Sequence, residues 1–318
     1  MKVLVIGAGG IIGQHLMISV PAGVEAVFTR RQGDEQLYQS LDLLEACRIG
    51  GMTDWVTPES VDVVVNLAGE AGVDEVERNP DKHRLINVEA VRQLMSWCDV
   101  NDKHLIHVSS QAVIGPRVNE YGRQKYDAEE IVRKGKNWTI IRPTFVLGIR
   151  PFPGIGRENP AERILSGKEE ESVCDRFFSV SFAWDVAEVI WDACQGGGGI
   201  VGQVIQVGDG KMSRWDLARK LGVCTKSVQH DNLNLAQRQI DTSYQQALTP
   251  TPLESGFILL EAEYGQRTLD ALPCRAKEIA AFLHRPWQDC LAKLQSGFGT
   301  LHGEVTEDFH RVNPQTDE

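Results

Sequence analysis

GAGGIIG, residues 7–13, sets three glycines three residues apart directly behind the apolar run VLVI (3–6). Apolar residues at helical spacing follow over 11–20. Strand, glycine-rich turn and helix, in that order, is what a dinucleotide-binding βα unit needs. In that arrangement Gly7 permits the tight turn, Gly10 lets backbone approach a pyrophosphate, and Gly13 lets the helix pack on the strand. The amides of Ile11 and Ile12 then face the phosphates from the positive end of the helix. The alternative is a glycine-rich turn with no ligand. A repeated strand–helix pattern downstream favours the dinucleotide.

That pattern is regular over the first part of the chain. Apolar runs at 24–28, 61–67 (VDVVVNL), 104–108 and 138–142 alternate with helical spacings at 87–98 and 121–134. Continuous β-branched runs without polar alternation mean strands buried on both faces. Alternation with helices means βαβ units. The expectation is an α/β fold: a doubly wound parallel sheet of Rossmann type over 1–145, with return segments near 177–208. After Pro143 the pattern loosens into IRPFPGIGRENP (149–160), rich in proline and glycine. A helix at 183–194, the GGGG of 196–199, a strand at 204–207 and a helix at 213–221, capped by Ser213, follow. A last long helix is read at 273–294. These segments predict a smaller, discontinuous α/β substrate lobe over 146–298 and a flexible polar tail over 299–318.

Composition narrows the function classes. The chain has 318 residues, 42% hydrophobic and 24% charged, enough for a large buried core. A net charge of -11 argues against a nucleic-acid partner, which needs clustered Lys and Arg. Seven cysteines, odd in number and with no CxxC pair, read as free thiols of a reducing cytoplasm, not as disulfides or a metal site. MKVLVIG enters a strand with no leader pattern, and no apolar run reaches the length of a membrane span, so no membrane partner is expected.

The second strand ends near Phe28 and runs into Thr29-Arg30-Arg31. An NAD site usually carries a carboxylate there for the ribose 2′-hydroxyl. Guanidinium groups instead grip a 2′-phosphate through charge-assisted bonds. Arg30 and Arg31 therefore favour NADP, with NAD less favoured; two solvated surface arginines are the plain alternative.

VSSQAVIG (108–115) and YGRQK (121–125) place Ser110 before a Tyr121–Lys125 pair one helical turn apart. A phenol with a pKa near 10 is a poor acid–base group at neutral pH, and a neighbouring ammonium favours its phenolate. These motifs, with GxxGxxG, resemble the extended branch of the short-chain dehydrogenase/reductase superfamily, which holds nucleotide-sugar epimerases and many ketoreductases. The resemblance spans residues 2–221. It implies Tyr121 as general acid/base, Ser110 as hydrogen-bond partner of the substrate oxygen, and Lys125 on the nicotinamide ribose. It also implies Asn87 as a structural or relay group and Asp42 near the adenine. It places Leu67, Ala68 and Gly69 of NLAGE (66–70), and Pro143 of RPTFVLG (142–148), beside the cofactor. FFSVSFAWDVAEVI (177–190) resembles a family segment in which Asp185 would cap a helix. A homodimer through the Tyr121/Lys125 helix is a further implication.

The departures are specific. Gln111 and Ala112 stand where sugar-nucleotide dehydratases carry acids, so dehydration of that type is not expected. Phe145 stands where epimerases usually carry an asparagine that holds a diphosphate, which argues against a nucleotide-diphosphate sugar. Arg150, Arg157, Arg163, Lys168 and Arg176 could still meet an anion. The function expected is an NADP(H)-dependent oxidoreductase moving hydride to or from a carbonyl/alcohol carbon of a small-molecule substrate. A nucleotide-sugar epimerase is the alternative, and a non-catalytic NADP- or RNA-associated relative is a remote one.

Overall fold

The structure is a computed structural model. It describes residues 1–228 except 33–37, 50–56, 115–118, 153, 169–170, 176, 197–199, 222 and 224. The helix read at 273–294 and the tail from 299 lie outside the described residues.

β1 (Lys2–Ile6) leads through the glycine-rich turn into α1 (Ile11–Ile18), then β2 (Glu25–Arg30), a short β3 (Gln39–Ser40) and α2 (Leu43–Ile49). α1 stops short of the expected end because Pro21 biases residue 20 away from helical backbone. β4 (Val63–Asn66) is followed by α3 (Val73–Arg78), α4 (Pro80–Arg84), a π-helical turn over Leu85–Glu89, and α5 (Ala90–Val100). The helical stretch thus begins before residue 87, with Pro80 at a first helical position where its missing N–H costs nothing. β5 (His104–Val108), α6 (Glu120–Val132) and β6 (Trp138–Pro143) complete the regular alternation.

The chain then leaves the sheet. β7 (Phe145–Leu147), α7 (Pro160–Leu165), β8 (Glu171–Val173) and β9 (Phe177–Phe182) follow, their strands joining smaller sheets. α8 (Ala183–Cys194) returns, β10 (Gln203–Val207) rejoins the large sheet, and β11 (Asp209–Ser213), α9 (Arg214–Lys220) and β12 (Lys226–Val228) follow. Ser213 caps α9 in a capping box with Asp216. Asp185 does not cap α8: Phe182 holds that position, and Asp185 lies buried in the first turn, where a carboxylate complements the helix dipole.

The large sheet has seven strands in the order β10-β6-β5-β4-β1-β2-β3, and all its pairs are parallel. Leu4, Ile6, Val64, Leu105 and Ile140 pack on one face against α5 and α6, including Leu94 and Val132. Val3, Val5, Val65, Ile106 and Ile141 pack on the other against α1 and α8, including Leu16 and Ile190. Helices on both faces make the sheet doubly wound. Its order reverses between β1 and β4, and ligands of such sheets bind at the carboxyl ends of the strands at that switch. A three-stranded sheet, β11-β9-β7, and a β12-β8 pair stand beside it.

Candidate active site

The glycine-rich turn lies at the β1/β4 switch. Gly7 has φ +80, and a Cβ there would meet the Ala68 backbone at 2.7 Å. A Cβ on Gly13 would lie 2.3 Å from the Ala8 carbonyl oxygen. Both positions exclude any side chain, because backbone cannot yield as a flexible side chain can. Gly10 differs: a Cβ there would meet nothing within 4 Å, so open space lies ahead of it. The Gly7 and Ala8 amides donate to the Thr29 carbonyl at 3.0 and 2.8 Å, fastening the turn to β2. No side chain caps α1 and its first turn carries no acid, so the end formed by Gly10, Ile11, Ile12 and Gly13 keeps its positive character. This cradle fits a pyrophosphate.

At the end of β2, Arg30 is half-buried and lies 5.4 Å from the Tyr38 ring centre. Its Nε donates to the Gln32 carbonyl. Arg31 is exposed, and its carbonyl accepts from the Ser40 hydroxyl at 3.2 Å. Asp42 caps α2: its Oδ1 accepts from the Leu44 and Glu45 amides at 3.0 and 3.4 Å.

The segment after β4 closes on the turn. Asn66 Oδ1 accepts from the Ala68 amide at 3.0 Å, while Asn66 Nδ2 lies 3.2 Å from His107 Nδ1. Burial pushes the His107 imidazole down to about 3, so it is neutral. Leu67 donates to the Ile6 carbonyl at 2.9 Å. Asn87, in the π-helical turn, accepts from the Glu70 amide at 2.8 Å and donates to Gln124 Oε1 at 3.0 Å. It thereby ties NLAGE to α6. A Cβ on Gly69 would stand 2.9 Å from Asn87 Oδ1 and 3.4 Å from Lys125 Nζ, so this approach brings the β4 end against the lysine.

Ser110 lies two residues past β5 and caps the short turn Gln111–Val113, accepting from the Ala112 amide at 3.2 Å. Asn119 caps α6 through the Gly122 amide at 2.8 Å. A Cβ on Gly122 would lie 2.9 Å from the Ala112 carbonyl, so the first turn of α6 rests directly on the Ser110 turn. Tyr121 and Lys125 are both buried on one face of α6. Burial pushes the Tyr121 phenol up, a hydrogen bond with Ser110 opposes it, and the Glu70 carboxylate adds to the rise. Burial also pushes the Lys125 ammonium down to about 8, with Glu129 opposing. The expected lowering of the tyrosine by the lysine is therefore corrected: desolvation is the largest cause for both groups, opposed by the Ser110 hydrogen bond at Tyr121 and by the Glu129 charge at Lys125. Glu129 is itself engaged by Arg142, through bonds of 2.8 and 2.5 Å, and by Arg133 at 3.0 Å.

Pro143 ends β6, buried and paired with Val207 of β10. Beyond it the Thr144 amide donates to the Ser181 hydroxyl at 2.8 Å, tying the two sheets together. Asn66, His107, Gln124 and Glu129 support this site and are not singled out in the sequence. Each is a polar residue inside an apolar run or on a helix, and nothing in its spacing marks it as buried.

The RmlD substrate binding domain model matches residues 1–248. The chain belongs to this family. It is a member of the extended short-chain dehydrogenase/reductase superfamily. Among curated relatives, the probable low-salt glycan biosynthesis reductase Agl14 of Haloferax volcanii is 27% identical over 47% of this chain and 55% of its own. The N-acetyl-alpha-D-glucosaminyl-diphospho-ditrans,octacis-undecaprenol 4-epimerase of Escherichia coli O157:H7 is 31% identical over 52% of this chain and 55% of its own. The match thus spans about half the length of each. The solved dTDP-4-dehydrorhamnose reductase of Bacillus anthracis, in complex with NADP, superposes with a TM-score of 0.63 at 18% identity, over 82% of this chain and 99% of that one. The RmlD-family chain therefore shares the Rossmann-type fold that its sequence predicts.

Proposed function

We propose that this RmlD-family chain is an NADP(H)-dependent reductase acting on a carbonyl carbon of a sugar nucleotide. The observation that carries the reading is the cluster of half-buried Ser110 with buried Tyr121 and Lys125, the lysine set against Gly69 beside the glycine-rich turn. Arg30 and Arg31 support NADP, as does the NADP complex of the Bacillus anthracis reductase. A nicotinamide held there supplies hydride to a carbonyl carbon or takes it from an alcohol. Tyr121 donates its phenolic proton to the carbonyl oxygen as that carbon is reduced, and the product is the alcohol. Ser110 hydrogen-bonds the same oxygen. Lys125, charged below about pH 8, stabilises the tyrosinate that remains. Asn66 holds the Ala68 amide and Asn87 the Glu70 backbone, which would set Leu67, Ala68 and Gly69 beside the cofactor, with Asp42 and Pro143 toward its ends. Gln111 and Ala112 offer no acid, so the chemistry stops short of dehydration.

The substrate class rests on the relatives, several of which are named for sugar-nucleotide or lipid-linked glycan chemistry. That outweighs the contrary expectation drawn from Phe145. A second reading, transient hydride transfer in an epimerase, is favoured by the Escherichia coli relative. Incubating the protein with NADPH and a panel of nucleoside-diphosphate 4-keto sugars, and in parallel with NADP+ and the corresponding 4-hydroxy sugars, separates the two. A reductase consumes one NADPH for each alcohol formed from a 4-keto sugar; a 4-hydroxy sugar isomerised with no net reduction of NADP+ assigns the epimerase. No consumption and no isomer across the panel rejects both. The same proposal includes a cytoplasmic homodimer, checked by light scattering of the purified protein.

A further inference from the structure

The described residues of 148–157 form an arch that rests on the glycine-rich turn, and one side chain joins the two. Gln14, fully buried and next to Gly13, donates from Nε2 to the Gly9 carbonyl at 3.0 Å and to the Ile155 carbonyl at 2.9 Å. Its Oε1 accepts from the Phe152 amide at 2.8 Å. On the arch itself, Arg150 Nη1 donates to the Ile155 and Gly156 carbonyls at 3.1 and 2.9 Å. Glu162 holds Arg150 in turn, accepting from its amide at 2.9 Å and its Nε at 2.8 Å. Gly156 has φ +74, and a Cβ on it would lie 2.1 Å from the Gly9 oxygen, so no side chain fits between arch and turn.

We infer that Gln14 is a positioning residue for the dinucleotide: it orients the Gly9–Gly10 peptide and locks the turn and the arch into one wall of the phosphate space. This rests on the cofactor reading above. In a planar trans peptide the N–H points opposite to the C=O. Holding the Gly9 carbonyl on Gln14 therefore turns the Gly10 amide away from the arch. An amide already oriented loses no freedom when an anion binds. Gln14 is neutral, so it does this without placing a competing charge beside the phosphates. Ile155 and the Arg30 stem both flank Gly9, at 3.8 Å from where its Cβ would be, so the wall continues to the arginine end of the site.

The test compares NADPH with 2′-AMP, which carries the 2′-phosphate but no pyrophosphate. In titrations of the full chain, Gln14→Leu should weaken NADPH by about tenfold, because three backbone groups lose their bond to Gln14 and the peptide is freed. Binding of 2′-AMP should stay unchanged, and kcat at saturating NADPH should fall less than kcat/KM. Gln14→Glu, which keeps the acceptor for Phe152, should also weaken NADPH and should recover as pH falls, when its acid regains a donor. Loss of thermal stability with NADPH affinity unchanged in both variants would make Gln14 merely structural and overturn the inference, leaving the cofactor reading intact. A parent protein that binds neither NADPH nor 2′-AMP overturns the cofactor reading, and the inference falls with it.

Discussion

The glycine-rich turn and the arch that rests on it are held in place by opposite means. The turn is shaped by exclusion: Gly7 and Gly13 lie where any Cβ would strike backbone. The arch is shaped by attachment. Gln14, Arg150, Asn159 and Glu162 are all buried, and each bonds to backbone of the arch or of α7. Exclusion tolerates one residue type and needs no partner. Attachment tolerates several types but fails when a single partner goes, because a buried polar group is then left without its bond. The two segments of this one wall should therefore respond differently to substitution.

The largest effect comes from removing the chemistry that both segments serve. Tyr121→Phe should lower kcat by about 10²–10⁴-fold, with NADPH affinity at the parent value in a fluorescence titration. Turnover retained at the parent rate would end the assignment of Tyr121 as the proton donor. A direct strike on the arch comes next. Glu162→Leu strips the buried Arg150 of its carboxylate and should cost about 3–5 kcal/mol in urea unfolding. An unfolding midpoint equal to the parent's would show that buried charge does not hold the arch. On the turn side, Arg30→Ala should weaken NADPH by about 1.5–3 kcal/mol, the range for a charged hydrogen bond, and leave NADH unchanged. An equal loss for both cofactors would mean that Arg30 shapes the turn and does not read a 2′-phosphate.

The smallest effect is one of pH. Lys125 loses its proton as pH rises through about 8, whereas the Tyr121 phenol is pushed above its usual range and stays protonated there. In the reductive direction kcat/KM should be full below that pH and decline above it. Lys125→Arg, with a guanidinium that does not titrate in this range, should remove the descending limb. A limb unchanged in that variant would assign it to another group.

The contrast between the two segments also explains what could be read in the sequence. GAGGIIG announces itself because glycine is rare where nothing forces it, and the β-branched runs of β1, β4 and β6 announce a sheet buried on both faces. Ser110, Tyr121 and Lys125 were legible as a spaced pattern, and the structure brings them together at the end of β5 and the start of α6. Gln14 and Glu162 were not legible, since glutamine and glutamate are mostly surface residues and carry no mark of burial. The direction of the Tyr121 shift was misjudged for a related reason. Spacing shows that a lysine is near, but only the fold shows how completely both groups are desolvated. Asp185 was misplaced by three residues because a first-turn acid and a cap look alike in sequence.

β10 joins β6 only after the chain has passed through β7, α7, β8, β9 and α8, pairing Gln203–Val207 with Thr139–Pro143. A fragment cut after residue 145 would therefore keep the cofactor motifs and lose its outermost strand. β6 would then present a bare row of amides and carbonyls, an open template for other chains. The nucleotide-binding half is therefore not completed by an N-terminal piece alone. Any exchange of substrate lobes between relatives must carry residues 203–207 with the half they complete, so the modularity of this fold is three-dimensional and not linear.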